Sequence, residues 1–158
     1  MKPMVASLWF DDNAEEARDF YVSVFKDSEV LDTAYYTEVG PGKEGTVVTV
    51  SFKLNGMEFV GINGGPHFTF SEAVSFVIPC DDQGEVDYYW EHLLADGGEE
   101  SQCGWLKDKF GLSWQVVPTV LNKLILDPDR KKANRAMEAM LKMVKLDIAT
   151  LQEAFDGN

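Results

Sequence analysis

Val74-Ser75-Phe76-Val77-Ile78-Pro79-Cys80-Asp81-Asp82, with the segment Glu85 to Ala95 behind it, decides the fold, because it restarts a pattern that the chain has already run once. Residues 74–78 read as a strand that Pro79-Cys80-Asp81-Asp82 closes, and Gly97-Gly98 ends the helix that follows. Seventy residues earlier, Val5-Ala6-Ser7-Leu8-Trp9-Phe10 reads as a strand, and Asp11-Asp12-Asn13 offers side-chain acceptors to the free amides of a helix start. Asp12 and Glu15 have capping-box spacing. Ala14, Ala17, Phe20, Tyr21, Val24 and Phe25 share one face at helical period, so this helix should lie on a sheet. Asp11-Asp12 thus answers Asp81-Asp82, and Phe20-Tyr21 with Val24 answers Tyr89-Trp90 with Leu93 after a one-residue adjustment.

Outward from these helices lie strands. Glu29 to Thr37 is one, and Gly40-Pro41-Gly42-Lys43-Glu44-Gly45 breaks the chain after it, since glycine and proline there favour turns over a ladder. Thr46 to Leu54 alternates, Asn55-Gly56 is a strong hairpin signal, and Met57 to Asn63 returns as its partner. The second half gives strands near Ser101 to Leu106 and Leu112 to Val117, joined by the turn Lys107-Asp108-Lys109-Phe110-Gly111, with its second strand missing or compressed around Glu99 to Gln102. The fold class is α+β, with tandem βαβββ modules at about 4–63 and about 72–118 in a single domain.

Beyond Pro118 the pattern is helical over about 119–158: a short helix from Thr119 to Leu126, a second started by Asp127-Pro128, and a last one capped by Asp147. This extension can pack on its own sheet, and Met137, Met140 and Met143 also suit it to clamp a partner subunit, so a homodimer is expected.

Composition narrows the partners. The chain has 158 residues and a net charge of −13, from 27 acidic against 14 basic residues, so a phosphate backbone would be repelled. The one basic run, Arg130-Lys131-Lys132, is too short to reverse this, and nucleic acid is excluded as a partner. No stretch approaches the ~20 apolar residues of a membrane span, and Met1 to Ser7 lacks the pattern of a signal peptide. Two cysteines, Cys80 and Cys103, spaced like neither a zinc site nor a redox pair, suit free thiols in a reducing, cytoplasmic setting.

Several motifs sharpen the reading: Leu8-Trp9-Phe10-Asp11 ahead of Glu16-Ala17 and Phe20-Tyr21; Asn63-Gly64-Gly65-Pro66-His67-Phe68-Thr69-Phe70; Glu72-Ala73 with Ser75-Phe76; and Cys103-Gly104-Trp105-Leu106-Lys107-Asp108-Lys109 with Gly111 and Ser113-Trp114-Gln115. Over nearly the whole chain they resemble the PhnB-like branch of the vicinal-oxygen-chelate superfamily, which includes glyoxalase I, bleomycin-resistance proteins and extradiol dioxygenases. Members of that branch are often labelled 3-demethylubiquinone-9 3-methyltransferase. The resemblance implies a half-barrel cup built by the two modules, with C-terminal helices here in addition.

Superfamily enzymes similar to glyoxalase I hold a divalent ion with His, Gln and Glu on the first and last strands of each module. Laid beside them, this chain offers Val5, a residue near Phe59 or Gly61, Val74 or Ala73, and Gln115, of which only Gln115 could coordinate. No cofactor is expected, and a divalent metal is permitted by the family without being expected. Of the two histidines, His92 sits among charged residues on a helix, whereas His67 follows Gly64-Gly65-Pro66 between aromatic neighbours and is the candidate general base. The methyltransferase label finds no glycine-rich loop that opens a helix, as nucleotide-type cofactors require. Aromatic walls are expected from Trp9, Phe59, Phe68, Phe70, Trp105, Trp114 and Tyr36, and polar anchors from Asn63, His67, Gln102, Lys107 and Gln115. The ligand-binding set is Trp9, Asn63, His67, Phe70, Trp105 and Gln115. Two functions stay open: a protein that binds or sequesters a small molecule, and an acid/base or metal-assisted enzyme.

Overall fold

The computed structural model describes every residue from Met1 to Asn158. Two units divide the chain, Met1–Phe70 and Ser71–Asn158, and each is built around one βαβββ module. No helix is long and apolar enough to cross a membrane.

In the first unit the order is β1 (Ala6–Phe10), α1 (Ala14–Val24), β2 (Ser28–Tyr35), β3 (Val47–Leu54) and β4 (Met57–Asn63), with the sheet running β1-β4-β3-β2. Alternation sorts the two faces. Leu8, Phe10, Val50, Phe52, Leu54 and Phe59 turn inward and bury against Ala14, Ala17, Tyr21 and Val24 of α1. Phe52 stacks on both Phe59 and Tyr21, with ring centroids 5.5 and 6.1 Å apart. Gly61 lets the helix approach: a Cβ there would stand 3.2 Å from the Cβ of Ala14 and 3.1 Å from Val50. Ser7, Trp9, Val60 and Ile62 take the opposite face, where the parallel β1–β4 register pairs Ser7 with Val60 and Trp9 with Ile62.

The expected capping box is not what starts α1. Asn13 holds the cap position without a side-chain bond, and the amide of Ala14 donates instead to Oδ1 of Asn63 at 2.8 Å. The register explains this correction: Phe10 pairs with Asn63, so the end of β4 lies beside the residues that lead into the helix, nearer than Asp12 can turn back.

The second unit runs β5 (Ser75–Cys80), α2 (Gln83–Leu94), β6 (Glu99–Glu100), β7 (Trp105–Lys107), β8 (Ser113–Pro118), α3 (Thr119–Ile125), α4 (Arg130–Met140) and α5 (Ile148–Asp156), with sheet order β5-β8-β7-β6. The compressed second strand is β6, two residues long. Pro79 lies inside β5 instead of ending it; β5 is an edge strand, where a missing amide breaks no ladder on the outer side. Here the cap forms as the sequence suggests: Asp82 accepts from the amide of Glu85 at 2.9 Å, and Glu85 reaches back to the amide of Asp81.

The helical extension packs within its own unit. Leu121, Leu124, Ala136, Leu146 and Leu151 form its buried core, with Val117 of β8 against it. Backbone bonds from Cys103 to Met143 and from Gly104 to Val144, and the Gln83 carboxamide on Leu146 and Ile148, tie it to the module. Asp147 caps α5 as expected, but α4 is capped by Asp129 and not Asp127. Asp127 accepts from the amide of Asp129 and so shapes the turn that presents the true cap.

Candidate functional site

The sequence-derived site residues fall into two groups, one in each unit. In the first, Trp9 projects from the face of β1 away from α1, and its indole N–H donates to the Gly65 carbonyl at 2.9 Å. Gly64 lies flat beneath the ring, where a Cβ would sit 2.1 Å from Cζ2. This pins the loop after β4 and sets His67 and Phe68 around the indole, at 6.4 and 4.9 Å between ring centroids. Phe70 packs against Phe10 instead, at 5.4 Å.

A cleft of about 550 Å³ opens at this end of the sheet, between the start of α1, the loop after β4 and the loop 36–46. Asp11, Asp12, Glu15, Tyr36, Asn63 and His67 are among the residues that line it, and no Lys or Arg does. Tyr36 is held from two sides. Its hydroxyl donates to the Asn63 carbonyl at 2.6 Å, and Gly42 packs on its ring. Asn63, buried, commits its whole carboxamide: Oδ1 takes the Ala14 amide, while Nδ2 donates to Glu15 at 2.9 Å and to the Val47 carbonyl at 3.1 Å. It shapes the cleft by fixing Glu15 and the helix start. His67 is exposed at the rim, its imidazole edge-on to the Trp9 indole.

In the second unit Trp105 and Gln115 are cross-strand partners, with Val77 on the other side of Gln115. The neighbouring row sets Ser75, Ser113, Lys107 and Glu99 abreast across the four strands. Gln115 Nε2 donates to the Ser75 hydroxyl at 2.9 Å, and Lys107 pairs with Glu72. That bond holds the Glu72 carboxyl below its ordinary value and the Lys107 ammonium above its own. Ser113 is buried and its hydroxyl has no partner.

Two of the expected aromatic walls prove to be core. Phe59 and Trp114, each 2% exposed, face the helices of their units, and Trp114 donates to Asp108 at 2.8 Å. Strand parity separates them from Trp9 and Trp105. His92 bonds the Tyr88 carbonyl on its own helix and lies over the Tyr88 ring. By sequence Asp11, Asp12 and Glu15 are helix-start residues, and their place in a cleft depends on loop 36–46 folding back, which no local pattern announces.

Neither group of residues fits a divalent ion. Val5 and Val74 are apolar and exposed, Phe59 is core, Gly61 has no side chain, and Gln115 is bonded to Ser75. Nowhere do three or more His, Cys, Asp or Glu side chains converge in a metal-holding group. A nucleotide-type cofactor fits no better, because Gly64-Gly65 leads into a loop whose carbonyl is taken by Trp9, with no helix opening behind it.

Tandem βαβββ modules, each with one helix across one sheet face, define a protein of the vicinal-oxygen-chelate class. The chain belongs to the PhnB-like family whose model is described as 3-demethylubiquinone-9 3-methyltransferase, which matches residues 2–117. It is similar to the solved PhnB protein of Bacillus cereus, with 38% identity and a TM-score of 0.67 over 75% of this chain and all of that one. Protein PA1353 of Pseudomonas aeruginosa, at 16% identity, gives a TM-score of 0.63 over 75% of this chain and 98% of its own. The fosfomycin resistance protein FosX of Listeria monocytogenes, also at 16%, gives 0.53 over 78% and 97%, and these two share the fold alone. No curated protein matches.

Proposed function

We propose that the protein binds a small organic cation in the cleft of its first unit, without metal chemistry and without methyl transfer. The observation that carries this reading is the lining of the cleft: three carboxylates, Asp11, Asp12 and Glu15, beside the Tyr36 ring, with no Lys or Arg in the lining. Carboxylates attract an ammonium group, and an aromatic ring next to them accepts the same group through its π-face. Asn63 and Gly42 hold the walls before any ligand arrives, which lowers the ordering cost of binding. A reducing, cytoplasmic setting belongs to the proposal, since Cys80 and Cys103 are both free thiols.

His67 at the rim supports a second reading, acid/base catalysis on the bound molecule, because an exposed imidazole beside a cleft can move a proton to or from its occupant. Calorimetric titration with tetramethylammonium and with benzylamine tests the first reading. Binding is expected to weaken at least about tenfold in Asp11→Asn/Asp12→Asn, the loss of one to two charged contacts. Absence of heat with both probes, or binding indifferent to the double substitution, removes it. Unchanged affinity in His67→Ala together with lost turnover of any converted amine separates the enzyme from the binder.

A further inference from the structure

Between α4 and α5 lies a groove of about 610 Å³, a size that small-molecule sites occupy. All of its lining lies beyond residue 117, where the match to the family model ends, so it belongs to the helical extension alone. Ala139, Met143 and Ala154 give it an apolar floor, and the first two pack at the margin of the core around Leu146 and Leu151. Arg135, Ala139 and Lys142 follow one another at helical spacing along α4 and the turn after it, which sets two cations at the edges of that floor. Glu138 is the one acidic side chain in the lining. Arg135 is held in place by the end of α5: its Nε donates to the Ala154 carbonyl at 2.8 Å and its Nη2 to the Phe155 carbonyl at 2.6 Å. The negative end of that helix favours the cation, and Gly157, at φ +85, lets the backbone close on the guanidinium, since a Cβ there would stand 3.2 Å from Nη2. A guanidinium has five N–H donors, and these two bonds use two of them.

We propose that this groove binds a small monocarboxylate with an apolar body: the carboxylate meets the remaining donors of Arg135 and the ammonium of Lys142, and the hydrocarbon lies on Ala139, Met143 and Ala154. The planar fork of Arg135 matches a carboxylate in geometry as well as charge. Because α5 already fixes that fork, little ordering is left for the ligand to bring about. Inorganic phosphate meets the same two cations, but it has nothing to lay on the apolar floor, and its second charge is repelled by Glu138. The cleft of the first unit has the opposite preference, since its three carboxylates repel this ligand, so the two sites are separable by the charge of the probe.

Amide NMR spectra of the full chain, titrated with octanoate, 1-octanol and inorganic phosphate, test this site. Octanoate is expected to shift the amides of Ala139, Lys142, Met143, Ala154 and Gly157 with a dissociation constant of about 1 mM or tighter, and the other two probes to act at least about tenfold more weakly. Lys142→Gln should weaken octanoate at least about threefold, and Glu138→Gln should tighten it, because one removes an attraction and the other a repulsion. Both side chains are exposed, so neither change empties the core, and a merely loosened extension cannot move affinity in opposite directions. No response to octanoate, shifts centred outside residues 135–157, or an affinity that both variants leave unchanged overturns the proposal. An equal response to octanol also overturns it, by showing that the cations do not select the ligand. Phosphate bound as tightly as octanoate overturns it in favour of an unselective anion site.

Discussion

Asn63 lines the cleft with its carboxamide already committed to the protein. Its three bonds, to the Ala14 amide, Glu15 and the Val47 carbonyl, make it the cap that α1 lacks locally, and Asn63→Ala is expected to destabilise the protein by about 1–3 kcal/mol, the range for a buried partner lost and a helix cap removed together. Urea denaturation checks it, and Asp12→Ala, the residue with capping-box spacing, should change stability by far less. The thiols allow a second residue-scale test. Burial first, and then the negative charge of Glu85, Asp81 and Asp82, push the Cys80 thiol up from 9.0 to about 12, whereas Cys103 is half-buried. A thiol reagent at neutral pH should therefore modify one cysteine in the native protein and the second only after unfolding. The same shift has a sign in stability. Above pH 9.0 the unfolded chain gives up this proton while the folded chain keeps it until about 12, so stability should fall across that window and fall less in Cys80→Ala. Of the site residues, Trp9 and His67 could be singled out from aromatic and histidine placement alone. Asp11, Asp12 and Glu15 could not, because a carboxylate before a helix or in its first turn has the same local signature whether it serves the helix start or faces a cleft.

At the scale of elements, sequence and structure agree where a local rule decides and part where a distant residue does. The bounds of β4, Met57–Asn63, are legible in the sequence because Asn55-Gly56 fixes the hairpin register and alternation fixes the faces. β5 ran on through Pro79 because its outer edge is unpaired, a fact of sheet order that the strand itself does not carry. Asp129 and not Asp127 caps α4 because two aspartates two residues apart offer equal caps until the turn geometry chooses between them. Asp129→Ala is thus expected to cost about 1 kcal/mol in thermal unfolding, the usual worth of a cap. The joint between module and extension is more sensitive. Gly104 has φ +82, and a Cβ there would meet the Val116 carbonyl at 2.8 Å and Leu146 at 3.0 Å; Gly45 has the same φ with nothing near. Gly45→Ala should show backbone strain of about 1 kcal/mol, and Gly104→Ala distinctly more, since it adds a clash that must part β8 from the extension. Equal shifts in melting temperature for the two would mean that the extension is not packed against Gly104.

For the molecule as a whole, the duplication was legible because each module repeats one rule, an acidic pair between a strand and a helix with an aromatic inner face. The family model ends at 117 and therefore leaves the extension without a stated role in stability. Its packing supplies one. Leu146 is fully buried, belongs to the core of α3, α4 and α5, and touches the space above Gly104, while its carbonyl holds Gln83 at the start of α2. One side chain thus links the extension, the last strand region and the module's helix. Leu146→Ala empties a fully buried site among Leu121, Leu124, Ala136 and Leu151, so the cost should lie in the range for such truncations, about 2–5 kcal/mol. Leu141→Ala, on an exposed side chain of the same extension, should change stability by no more than about 0.5 kcal/mol. If urea titrations gave both variants the same small loss, the extension would be an appendage resting on the module; the bond pattern at Gly104, Cys103 and Gln83 instead requires that loosening Leu146 also lower hydrogen-exchange protection at the start of α2.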